Sequence, residues 1–176
     1  VHIEEKLKES EIRLKLILDN MPVMLNAMDE KGNFIHWNRE CEHVTGYARE
    51  EIINRSFAPA LLSPDENDRN YINEKLSGQG GNYRNEKIDL RCRDGSIKTI
   101  MWSNLSDLYP VPGWHSWSVG INITELEAVT NALNESTEKF REAQLIARLG
   151  YWEYNHSKKI CMWDTILSGI LGYNCE

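Results

Sequence analysis

Met28-Asp29-Glu30-Lys31-Gly32-Asn33-Phe34-Ile35-His36-Trp37-Asn38 decides how this chain folds. The residues leading into it, Val23 to Asp29, form a short apolar strand. Glu30-Lys31-Gly32-Asn33 reads as a turn, with Gly and Asn suited to positive φ. Phe34 to Trp37 is the returning strand, so a hairpin is expected. Asn38 is placed to cap a short helix through Val44, and Gly46 to close it. Ala48 to Ile53 gives one more helical turn.

Upstream, Ile3, Leu7, Ser10, Leu14, Ile17 and Met21 alternate at spacings of four and three, the seam of a coiled-coil-like helix. Pro22 ends that helix. Downstream, Pro64 or Asp65 opens a longer helix to Leu76, with acidic residues in its first turn as the helix dipole favours. Gly78-Gln79-Gly80-Gly81 breaks it. Asn82 to Arg93, Ser96 to Leu108 and Trp114 to Thr124 read as three strands, joined by a tight turn at Asp94-Gly95 and a looser one at residues 109–113. Two strands, then helices, then three strands describe an α+β domain with an antiparallel sheet and helices on one side.

The chain also repeats itself. Leu7-Lys8-Glu9-Ser10 returns as Leu133-Asn134-Glu135-Ser136, an offset of 126 residues (7 to 133). Trp37 returns as Trp163 and Gly46-Tyr47 as Gly172-Tyr173 at the same offset. One complete unit and the opening of a second are expected. The boundaries read as a helix over 1–21, a domain over 22–124, a connecting helix over 125–142 and a truncated second domain over 143–176.

Composition narrows the function. The 176 residues are 41% apolar and 27% charged, a globular balance. No apolar run is long enough to span a bilayer, and Val1 to Ser10 lacks the apolar core of a signal peptide. A net charge of −7 without a basic stripe argues against a nucleic-acid partner. Cys41, Cys92, Cys161 and Cys175 form no C-x-x-C pair and read as reduced thiols of a cytoplasmic protein. No metal-ligand cluster is visible. The Gly-rich stretch at 78–81 leads into a strand, so it is no phosphate loop, and no Ser-His-Asp signature can be assembled. These residues are not expected to be an enzyme in their own right.

The hairpin quoted above resembles the opening hairpin of PAS domains. Val44-Thr45-Gly46-Tyr47 with Glu50-Glu51-Ile52-Ile53 is similar to their first helical segment, and Arg93-Asp94-Gly95-Ser96 to their later hairpin. Gly120-Ile121-Asn122-Ile123-Thr124-Glu125 resembles the closing PAC motif, which usually reads Asp-Ile-Thr; Asn122 stands at the Asp position. The resemblance spans residues 8 to 125, and 134 to 176 for the second copy, a tandem arrangement as in sensor histidine kinases. It implies a five-stranded antiparallel sheet with flanking helices. It also implies a sensory input module that binds a small ligand or a partner PAS domain and relays the change to an effector. A histidine kinase of a two-component system is the effector expected; input to a diguanylate cyclase, or pure dimerisation without a ligand, are the alternatives.

Two sets of residues follow. Leu126, Val129, Leu133, Ser136, Phe140, Ala143 and Ala147 keep strict three-four spacing on the helix after Thr124, a homodimer seam with Leu126, Val129, Leu133 and Phe140 as its large members; the alternative is a connector packed on its own sheet. Asn122 and Thr124, at the closing motif, would couple the domain to that helix. Alternation and the resemblance together give a pocket wall of Asn26 and Met28, then Ile88 and Leu90, then Ile100, Trp102 and Asn104, completed by Ser116 and Ser118. The alternative is a filled core. Asn26 and Asn104 are the informative members, because buried amides need partners: a ligand, a water or each other. Trp114 and Trp117 are expected on the outer sheet face, against a helix or as a contact with a second chain. The sequence names no cofactor. The resemblance implies no flavin–thiol photochemistry, since Asn54-Arg55-Ser56-Phe57-Ala58, where light-sensing relatives carry a reactive Cys, has none, and no haem, since the helix over 65–76, where the family's haem sensors often carry a His, has none.

Overall fold

Gly32 adopts φ +78° and lets the first hairpin turn tightly. Asn33 does not share that conformation. It donates from its backbone N and from Nδ2 to the Asp29 carboxylate (2.9 and 3.1 Å), which also accepts from Lys31 N (2.9 Å). These bonds hold the Asp29 carboxyl below its ordinary range. The strands either side are β1 (Met24–Met28) and β2 (Phe34–Trp37). In this computed structural model, residues 2–63, 65–67, 69–71 and 83–173 are described. The helix expected to Leu76 and the glycine-rich break at 78–81 lie largely outside them.

A helix α1 (His2–Asn20) precedes the hairpin. After it come α2 (Arg39–Thr45), α3 (Arg49–Ile52) and α4 (Ala58–Leu62). Asn38 caps α2, its side chain accepting from Cys41 N, and Gly46 closes it at φ +74°. Then follow β3 (Tyr83–Arg91), β4 (Ile97–Asn104), β5 (Ser116–Asn122) and a 24-residue helix α5 (Thr124–Ala147). The sheet is antiparallel throughout, in the order β2-β1-β5-β4-β3. Its inner face and helices α2 to α4 enclose the core of Met24, Phe34, Trp37, Cys41, Ile52 and Ile100.

Two bulges aim side chains into this core. In β2 the register shifts between Ala27 and Met28, so Ile35 is the extra residue, and Phe34 and Trp37 both turn inward. In β3 three steps from Tyr83 to Glu86 oppose two from Asn104 to Trp102, with Asn85 at φ +57°. Alternation back from Leu90 and Ile88 would direct residues 86 and 84 inward; the bulge turns Tyr83 inward instead.

Residues 1–125 and 126–176 form two compact units. In the second, β6 (Trp152–Asn155) and β7 (Ile160–Trp163) make a hairpin, followed by α6 (Thr165–Leu171). Asp164 caps α6 by accepting from Leu167 N (2.8 Å) and binds Tyr151 N (3.0 Å). Asp164 N donates in turn to Tyr151 O (2.9 Å). Gly172 closes the helix at φ +79°. Among the described residues, no helix is long and apolar enough to cross a membrane.

Candidate ligand-binding site

Between the inner sheet face and the helical side lies a cavity of about 630 Å³. Asn26 and Met28 on β1, Ile88 and Leu90 on β3, and Trp102 and Asn104 on β4 line it. Ser116 and Ser118 from β5 complete that wall. Ile100, expected with them, does not line it: the residue is fully buried in the core, further along β4.

Other lining residues escape strand alternation. Phe34 and Trp37 arrive through the β2 bulge and Tyr83 through the β3 bulge. Pro59, Leu62 and Ser63 come from α4 and its end, an element without a readable period in sequence. The charged lining groups Asp29, Glu30, Lys31, Arg69, Asp107 and His115 are exposed or half-buried.

Asn104 is 1% exposed. Its Oδ1 accepts from Ser106 N (3.0 Å) and Ser106 Oγ (2.6 Å), and its Nδ2 has no partner. Asn26 is 7% exposed and makes no side-chain hydrogen bond among the described residues. The two amides therefore do not bond each other. The Tyr83 hydroxyl lies 3.4 Å from Ser118 Oγ, and burial pushes that phenol above its ordinary range. Trp37 Nε1 is buried without a partner. An unpaired buried donor costs about 1–3 kcal/mol, so this wall is rich in hydrogen-bonding capacity that the protein itself leaves unused.

Glycine shapes the floor. A Cβ on Gly120 would stand 2.7 Å from two ring carbons of Trp102, so the indole lies against bare backbone. Among the described residues, no group of three His, Cys, Asp or Glu is placed to hold a metal ion. Cys41 is buried and its thiol is pushed up to about 12, chiefly by burial.

At the end of β5, Asn122 Oδ1 accepts from Thr124 N (3.1 Å) and Thr124 Oγ1 (2.6 Å). Thr124 Oγ1 in turn accepts from Thr99 N on β4 (3.0 Å), and Ile123 N donates to Thr99 O (3.0 Å). The amide oxygen thus makes the tie between strand and helix that a carboxylate would make. Trp117 pairs with Ala27 on the outer sheet face and donates from Nε1 to Tyr109 O (2.8 Å). Trp114 stacks on His36, ring centroids 5.2 Å apart.

The family model described as the PAS fold matches residues 12–101. No curated protein matches the chain in sequence. Among solved structures, the PAS domain of an HTR-like protein from Haloarcula marismortui is similar at 22% identity and TM-score 0.52, covering 69% of this chain and 96% of its own. A PAS domain from Colwellia psychrerythraea is similar at 22% and 0.52, with coverages of 65% and 97%. The PAS domain of a LuxR-family transcriptional regulator from Burkholderia thailandensis, solved in complex with ethanol, is similar at 18% and 0.50, with coverages of 62% and 96%. These likenesses show the fold. With just over half of its residues inside the family model and the sheet order given above, the chain belongs to the PAS-fold family of sensory input modules.

Proposed function

We propose that the first unit binds a small organic ligand in its cavity and relays the change through its flanking helices to a histidine kinase. The observation that carries this is the cavity itself, about 630 Å³, walled by two buried amides: Asn104, whose Nδ2 has no partner, and Asn26, which makes no side-chain hydrogen bond among the described residues. Ligand pockets of ~300–1,000 Å³ with a few placed polar groups on apolar walls are the common form. Relay is supported by the Asn122–Thr124–Thr99 bonds that join the sheet to the start of α5. Along α5, Leu126, Val129, Leu133 and Phe140 are 60–65% exposed, as an unpaired dimer seam would be. The family's association with kinases supports that effector and a cytoplasmic site of action. A thermal-shift screen of ligand-stripped protein against neutral small metabolites tests the reading. A sensor's melting point moves with at least one; no movement with any, at saturating concentrations, refutes ligand binding.

The second unit is read as the opening of another PAS domain. Its internal bonds repeat those of the first at the 126-residue offset. Tyr151 N to Asp164 repeats Leu25 N to Asn38, and Leu167 N to Asp164 repeats Cys41 N to Asn38. Trp152 pairs with Trp163 as Asn26 does with Trp37.

A further inference from the structure

The ladder registers draw one line of side chains across the whole sheet. Trp37 on β2 pairs with Asn26 on β1, and Asn26 with Ser118 on β5. Ser118 pairs with Asn104 on β4, and Asn104 with Tyr83 on β3. Directly opposed residues point to the same face, and all five line the cavity. Neighbouring strands lie about 4.8 Å apart, so Asn26 and Asn104, two strands apart, stand about 10 Å from one another.

Counting bonds along the line shows what it lacks. Tyr83 and Ser118 have each other, and the Asn104 oxygen has Ser106. Left over are Asn104 Nδ2, Trp37 Nε1 and the whole amide of Asn26. Donors are in excess, so the missing partner supplies acceptors. No member of the line is charged, and the charged lining residues are the more exposed ones. A carboxylate seated on the line would meet no cation among its five members, at greater cost than a carbonyl. Trp102, lying on the Gly120 backbone, borders the line with apolar surface.

We propose that this transverse line recognises a neutral amphipathic molecule with two carbonyl-type acceptors, one met by Asn104 and one by Asn26, on an apolar body lying across the strands. This rests on the cavity being a ligand site, as inferred above. The test uses three matched probes and the full chain: 2,6-naphthalenedicarboxamide, its dicarboxylate and 2,6-dimethylnaphthalene. Affinities are measured by titration while the Asn side-chain NH₂ signals are followed by ¹⁵N NMR. The dicarboxamide is expected to bind at least about tenfold tighter than either other probe, the worth of one to two net hydrogen bonds. It should also move the NH₂ signals of Asn26 and Asn104. Asn104→Ala should remove about half of that advantage in free energy, leaving the part met by Asn26. Asn26→Leu, which leaves the Ser106 bonds intact, should halve it or more should Asn104→Ala fail to fold. Equal binding of amide and hydrocarbon, or tightest binding of the dicarboxylate, overturns the ligand class and leaves the cavity reading standing. No binding of any probe at about 1 mM, a negligible affinity for a pocket of this size, overturns both.

Discussion

Replacing Asn38 with alanine removes four hydrogen bonds from one buried side chain. Its Oδ1 accepts from Leu25 N (3.0 Å) and Cys41 N (3.1 Å), while Nδ2 donates to Val23 O (2.8 Å) and Leu18 O (3.2 Å). The side chain is fully buried. Loss of the α2 cap costs about 1 kcal/mol. The buried Leu25 amide then lacks that acceptor, at about 1–3 kcal/mol, and the two Nδ2 bonds add roughly 0.5–1 kcal/mol each. The sum is about 3–6 kcal/mol, a third or more of the stability of a typical domain. Asn38→Ser restores the cap alone and should recover only about 1 kcal/mol. Urea unfolding read by tryptophan fluorescence measures both. A cost below about 1.5 kcal/mol for Asn38→Ala, or full recovery by Asn38→Ser, refutes the claim that this residue ties hairpin, helix α1 and helix α2 together.

Gly120→Ala should destabilise by about 1–3 kcal/mol, since the new methyl would stand 2.7 Å from the Trp102 ring and 2.8 Å from Ile100 Cγ2; a change under about 0.5 kcal/mol in urea unfolding contradicts that packing. Burial, followed by the charge of Arg49, lowers the His36 pKa beneath its ordinary value of 6.5. The unfolded chain then binds more protons, so stability present above about pH 6.5 is lost as pH falls through the folded pKa. Melting temperatures at about pH 7.5 and 5.5 should show this, and His36→Phe should flatten it. The Asp29 and Asp94 carboxyls, held below 3.8 by local hydrogen bonds, lose theirs in a separate, more acid window. Cysteines placed at Leu126 and Leu133, with Cys161 and Cys175 replaced by Ser, should crosslink two chains on mild oxidation; monomers only would contradict the α5 seam.

Parity along the strands, taken with the family resemblance, was enough to find much of the cavity wall. Asn26, Asn104, Ser116 and Ser118 follow from alternation, since a side-chain period of two leaves little choice once one residue is placed. Asn38 and Gly46 announce α2 because cap chemistry is local. What alternation misses is the extra residue. Ile35 and Asn85 are ordinary in sequence, yet as bulges they switch Phe34, Trp37 and Tyr83 into the cavity. Helix α4 is five residues around Pro59, too short to carry a period. Ile100 had the right face but the wrong depth: it lies where β4 is sealed by core, and parity says nothing about depth. Asn122 shows the converse case, where a departure from the usual Asp changes the charge but keeps the oxygen that Thr124 needs.

The central claim is that the space between sheet and helices holds a ligand. A crystal structure of the protein as purified from cells, without added ligand screens, tests it most directly. The account predicts continuous electron density beyond water in the cavity, within hydrogen-bond reach of Asn104 Nδ2 and the Asn26 amide. A cavity collapsed by Trp102, Leu62 and Ile88, with Asn104 Nδ2 bonded to another protein group, would contradict it.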